Sequence, residues 1–92
     1  MPRFLIEIPH SSEYEGCVRS LAAIMNYGSY LVTQCEYGCE DGVHVGYLTV
    51  EADTKEEARN MVPPPYRGDA RVTKLRRWTR DEIETMLKKL KS

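Results

Sequence analysis

Apolar and polar positions alternate from the third residue onward. In 3–9, Arg-Phe-Leu-Ile-Glu-Ile-Pro, Phe4, Ile6 and Ile8 fall on one side and Leu5 and Glu7 on the other. That is a strand with one fully apolar face, ended by Pro9. Ser12 and Glu15 then have the spacing of a capping box, which predicts a helix to about Asn26 with Cys17, Val18, Leu21, Ala22 and Met25 on one stripe. Gly28, free to adopt positive φ, is a terminator for it. Residues 30–37 and 44–52 read as two strands joined by Gly38-Cys39-Glu40-Asp41-Gly42, whose Asp-Gly pair signals a hairpin turn.

Thr54 and Glu57 form a second capping box before a short helix with Ala58, Met61 and Val62 on its apolar side. Pro63-Pro64-Pro65 stops that helix, because proline has no N–H to donate and restrains the residue before it. Residues 70–77 predict a fourth strand, rich in Arg and Lys. Thr79 and Glu82 open a last helix, about 80–91, with Ile83, Met86, Leu87 and Leu90 at 3–4 spacing and lysines suiting its C-terminal dipole.

The order βαββαβ defines a ferredoxin-like α+β domain spanning 1–92 as one unit. Right-handed crossovers give an antiparallel sheet of order 4-1-3-2, both crossover helices on one face, plus the C-terminal helix. The opposite face then carries Leu5, Glu7, Val45, Tyr47 and Thr49, too apolar a set for water. A chain of 92 residues buries only roughly 60–65% of its unfolded surface, so pairing of these faces in a homodimer is the expected remedy.

Charge and composition narrow the function classes. The chain is 41% hydrophobic and 29% charged, as globular proteins are. Residues 1–62 hold four basic and ten acidic side chains, residues 63–92 nine and four. The basic third reads as a charged edge strand and a solvated helix face. No apolar run suits a membrane span, and Met-Pro-Arg-Phe-Leu lacks a signal-peptide core, so a cytoplasmic protein is expected. Three cysteines, an odd number, argue against a disulfide framework.

Topology gathers the chemistry at one corner. The first strand runs antiparallel to the third and fourth, so its C-terminal end collects His10, the hairpin tip from Cys35 to His44, the start of the first helix, and the loop Pro65-Tyr66-Arg67-Gly68-Asp69. Alternation puts His10 on the face of Phe4, Ile6 and Ile8, and His44 on that of Gly46, Leu48 and Val50. Cys35 shares a face with Leu31 and Thr33. One reading is a small-organic-ligand site, catalytic if the His10–His44 pair does acid–base chemistry with Asp41 orienting a ring and Arg67 holding a carboxylate. Tyr37 and Tyr66 would wall that site, or the ligand would lie in the dimer interior around Glu7 and Tyr47. A second reading is a zinc, nickel or iron centre of His10, Cys35, Cys39 and His44. Its Cys-x3-Cys-x4-His spacing matches no common zinc module. A third is structural: the histidines end strands, Cys17 and Cys35 pack as small hydrophobes, and Cys39 is an exposed turn residue.

The element order and length, the opening Met-Pro-Arg-Phe-Leu and the segment Gly38-Cys39-Glu40-Asp41-Gly42-Val43-His44 resemble the dimeric α+β barrel superfamily. Its small members include muconolactone-isomerase-like, YCII-like and antibiotic-monooxygenase-like proteins. The resemblance implies a homodimer through open sheet faces and isomerase or cofactor-free monooxygenase chemistry on a small organic ligand. An RNA-recognition module shares the element order. Its third-strand signature, however, survives in Val45-Gly46-Tyr47-Leu48-Thr49-Val50-Glu51-Ala52 only as a Gly-Tyr pair and one Val, so nucleic acid is not expected. Calcium-loop, nucleotide-binding glycine and Gly-x-Ser-x-Gly patterns are absent from the sequence.

Overall fold

A computed structural model describes residues 1–91, the side chains at 29, 30 and 32 excepted. Strand β1 (Arg3–Pro9) buries Phe4, Ile6 and Ile8 and leaves Leu5 and Glu7 half-buried on the other side. It lies between β3 (Val45–Glu51) and β4 (Arg71–Leu75), antiparallel to both, with Ile6 opposite Leu48 and Val72. A two-residue β2 (Glu36–Tyr37) pairs with the outer side of β3. The four-stranded sheet therefore runs β2-β3-β1-β4, which counted from the β4 edge is 4-1-3-2.

Helices α1 (Tyr14–Tyr27), α2 (Ser29–Gln34), α3 (Lys55–Arg59) and the single turn α4 (Pro64–Arg67) accompany the sheet. Ile24, Leu31, Ala58 and Val62 join Ile6, Leu48, Val50 and Val72 in one apolar core. Each of these Val, Leu and Ile side chains, once buried, contributes roughly 1.5–3 kcal/mol, and the Ala58 methyl less. Leu5, Glu7, Val45, Tyr47 and Thr49 share the opposite face and are all half-buried.

Several local expectations are corrected. Residues 30–37 are not one strand: 29–34 form α2, and only Glu36 and Tyr37 pair. A strand would have turned Thr33 inward along with Leu31 and Cys35. Helical i, i+4 spacing buries Leu31 and Cys35 and leaves Thr33 outside. The Ser12–Glu15 capping box does not form, because α1 begins one residue late, at Tyr14. Ser11 Oγ instead accepts from the Glu13 N–H (3.1 Å), and Glu15 pairs with Arg19. The buried stripe of α1 is Cys17, Ser20 and Ile24, while Val18 and Met25 are exposed. Gly28 ends α1 in extended backbone, not at positive φ.

The other caps form. Thr54 Oγ1 accepts from the Glu57 N–H, although the Glu57 carboxylate reaches Asp53 N rather than Thr54 N. Thr79 and Glu82 make the full reciprocal box at the start of α5 (Arg80–Lys91). The stripe of α5 finds no cover among the described residues: Ile83, Met86, Leu87 and Leu90 are all exposed. The molecule is correspondingly long, 56 Å on its main axis, with a radius of gyration of 16.7 Å. A compact chain of this length would measure about 12 Å.

Candidate metal centre

The His10 backbone N–H donates to the His44 carbonyl (3.0 Å), one step beyond the Pro9–Val45 pair that closes the β1–β3 ladder. Continuing that register puts both imidazoles on the helix-covered side of the sheet. Their rings meet edge to face at 5.6 Å between centroids. Two more elements close over them. The chain turns sharply after His10 and brings Ser11 against α1, where Gly16 has no side chain. A Cβ at Gly16 would stand 2.5 Å from Ser11 Oγ. That close approach lowers Cys17, in the first turns of α1, onto His10.

The third element is the turn after β2, where Cys39–Asp41 form a 3-10 turn. It closes through the Val43 N–H on the Gly38 carbonyl (2.9 Å) and the Gly42 N–H on the Cys39 carbonyl (3.0 Å). Gly42 takes a left-handed conformation, φ 77°, which glycine adopts without steric cost. A Cβ at Gly38 would collide with the Val43 carbonyl at 2.8 Å. The two glycines thus fold the turn so that Cys39 reaches the histidines.

His10 Nε2 lies 3.2 Å from Cys39 Sγ and 3.4 Å from Cys17 Sγ, and the two sulfurs are 3.6 Å apart. One donor atom from each of His10, Cys17, Cys39 and His44 falls within 4.8 Å of all the others. Cys17 is buried and Cys39 and both histidines are half-buried. The Nδ1 atoms of His10 and His44 are buried without a hydrogen-bond partner. Burial first, and the adjacent Cys17 thiol second, push the Cys39 pKa above its ordinary range.

The donor set differs from the sequence expectation at one position. Cys35 lies outside the cluster, buried in the core beneath Gly46, where an added Cβ would stand 3.1 Å from its sulfur. Desolvation raises the Cys35 pKa, as expected of an inert core thiol. Cys17 takes its place. The sequence placed the start of the first helix at this corner, and Cys17 is the fourth residue of α1, but it carried no signal for which side of that helix faces the histidines.

The remaining candidates separate. Arg67 does not join the corner. Its guanidinium donates to the carbonyls of Val62 (2.7 Å) and Asn60 (2.9 Å) and to the Tyr27 hydroxyl (2.6 Å). Tyr27 ends α1, ten residues and therefore about 15 Å beyond Cys17. The physical reason is Pro63-Pro64-Pro65: proline cannot donate to the preceding carbonyls, and the arginine does so instead. Asp41 is exposed on its turn and orients neither ring through Nδ1.

Tyr37 stands edge-on to His10 with ring centroids 6.4 Å apart, and burial holds its phenol in the protonated form well above the usual range. Tyr66 donates to Ser20 Oγ (3.1 Å) in the middle of α1. Glu7 and Tyr47 are cross-strand partners on the opposite face of the sheet. Among the described residues, no helix is long and apolar enough to cross a membrane. An open cavity of about 710 Å³ near Leu31, Val50 and Met61 holds none of the four cluster residues. No protein-family model, curated protein or solved structure matches the chain.

Proposed function

We propose that His10, Cys17, Cys39 and His44 hold one transition-metal ion, zinc before nickel or iron. The supporting observation is the spacing of the donor atoms. Zn–S bonds of about 2.3 Å and Zn–N bonds of about 2.0–2.1 Å in a tetrahedron require about 3.8 Å between sulfurs and about 3.5 Å between sulfur and nitrogen. The two sulfurs stand 3.6 Å apart and lie 3.4 and 3.2 Å from His10 Nε2, with a His44 nitrogen within 4.8 Å of both sulfurs and of a His10 nitrogen. Two thiolates and two imidazoles satisfy a zinc ion's preference for four borderline-soft ligands. A complete set of four leaves no coordination position for water or substrate, so the ion's role is structural. It ties the end of β1 to the first turns of α1 and to the 38–43 turn.

The experiment is metal uptake by the reduced, metal-free chain. One cobalt ion per chain is expected, with the visible bands of tetrahedral cobalt and a thiolate charge-transfer band, displaced by zinc. Uptake that survives Cys17→Ser but is lost in Cys35→Ser would overturn the assignment.

The domain order supports a second proposal, of assembly. We propose a ferredoxin-like domain that pairs through its uncovered sheet face, as in the dimeric α+β barrels it resembles. Leu5, Val45 and Tyr47 are only half-buried there, and the α5 stripe is exposed. A small organic ligand, and the isomerase or monooxygenase chemistry of that resemblance, would then belong to the interior around Glu7 and Tyr47, not to the metal corner.

A further inference from the structure

We propose that Cys17 and Cys39 are a redox-sensitive pair, which hydrogen peroxide closes to a disulfide with expulsion of the metal ion. This rests on the metal assignment above and adds a regulation to the same site. Its basis is the 3.6 Å between the two sulfurs, both of them free thiols. A disulfide needs about 2.05 Å, so the sulfurs must approach by about 1.5 Å. The turn that carries Cys39 hinges on Gly38 and Gly42 and has no regular strand or α-helix of its own to break. Exposure separates the two roles. Cys39 is half-buried and open to a small oxidant, while Cys17 is 7% exposed and sits behind it.

The chemistry balances as follows. The Cys39 thiolate attacks one peroxide oxygen, the O–O bond breaks, and hydroxide leaves with a sulfenic acid on Cys39. Cys17 then attacks the Cys39 sulfur. The S–S bond forms, the S–O bond breaks, and a second hydroxide leaves. Both hydroxides take protons from solvent to give two waters. The two thiolates lose two electrons and the peroxide gains them. With both sulfurs spent, His10 and His44 alone remain as ligands, too few to retain the ion. Cys35 takes no part, because its sulfur is packed in the core against Gly46 and Tyr37.

The test uses the zinc-loaded full chain treated with one equivalent of hydrogen peroxide. A chromophoric chelator reports released zinc, and peptide mass spectrometry reports which cysteines are joined. Release of one zinc for each Cys17–Cys39 disulfide, reversed by dithiothreitol and unchanged in Cys35→Ser, is the expected result. Retained zinc, or release accompanied by sulfinic acids, Cys35 linkages or intermolecular disulfides, overturns the redox inference and leaves the metal assignment standing. If the reduced chain takes up no zinc before peroxide is added, the metal assignment fails and the switch fails with it.

Discussion

His10 and His44 are joined twice, by a backbone hydrogen bond of 3.0 Å and by an edge-to-face contact of their rings at 5.6 Å. The first contact causes the second. Because β1 and β3 are antiparallel with Pro9 opposite Val45, the next pair outward is His10 and His44, and the pleat turns both toward the helices. The corner is therefore built by sheet register, and α1 and the 38–43 turn add one sulfur each.

The cysteines should behave unequally. Cys17→Ser and Cys39→Ser are each expected to weaken zinc binding at least 100-fold, since a thiolate ligand is lost. Cys35→Ser should leave zinc affinity within a few-fold while lowering stability by about 1–3 kcal/mol, the cost of an unpartnered hydroxyl in the core. Chelator competition and urea unfolding measure the two effects separately.

Gly16 is expected to matter through contact more than through helix propensity. Gly16→Ala would gain about 1 kcal/mol of propensity, but its Cβ would stand 2.6 Å from Ser11 Cβ. Such overpacking costs about 1–3 kcal/mol and would push the His10–Ser11 turn away from Cys17. A net loss of zinc affinity, recovered in the Ser11→Gly, Gly16→Ala double variant, is the outcome to measure by competition titration.

Arg67 should prove structural. Arg67→Ala leaves the Val62 carbonyl without its side-chain donor and the Asn60 carbonyl with only the longer bond from the Tyr27 hydroxyl (3.5 Å), and is expected to cost about 1–3 kcal/mol in chemical denaturation. Zinc affinity should not change, because the guanidinium serves the α3–α4 turn. Arg67→Lys is expected to recover only part of the loss, since one ammonium cannot reproduce the fork that reaches three acceptors.

Stability of the metal-free chain should fall at alkaline pH. Burial raises the pKa of Cys35 in the folded state, and that of Tyr37 more strongly. A raised folded pKa means that the unfolded chain loses its proton first. The stabilisation is therefore complete below the ordinary thiol range and is lost as pH rises through the folded values. Urea midpoints between pH 7 and pH 10 should decline, and Cys35→Ala with Tyr37→Phe should flatten that decline.

The two unpartnered faces make a distinct prediction. Ile83→Ser and Leu87→Ser should change the stability of an isolated chain by less than about 0.5 kcal/mol, because both positions are exposed. Ile6→Ala should cost about 2–5 kcal/mol. Native mass spectrometry of the unmodified chain is expected to show a dimer, dissociated by Tyr47→Lys. A wild-type monomer at micromolar concentration would remove the dimer proposal.

The strict alternation of 3–9 was enough to place Phe4, Ile6 and Ile8 inside, and the Thr54 and Thr79 signals were enough to start two helices. Both depend on neighbours within a few residues, so they are legible in a linear chain. The meeting of His10 with His44 followed from element order and pleat parity. The exchange of Cys35 for Cys17 did not. Residues 30–37 carry strand-forming side chains, and only packing of Leu31 and Cys35 against the sheet makes 29–34 helical and removes Cys35 from the rim. The rotation of α1 was equally beyond local signals. It is set by Ser11 seated on Gly16 and by burial of Ser20 and Ile24, which together turn Cys17 toward the histidines. Arg67 was drawn away by carbonyls that a proline triplet left without donors. Sequence alone determined the three long strands, two of the caps and the meeting of the two histidines; tertiary packing decided which sulfur joins Cys39 beside them, because the rotation of a helix about its axis is a property of what it rests on.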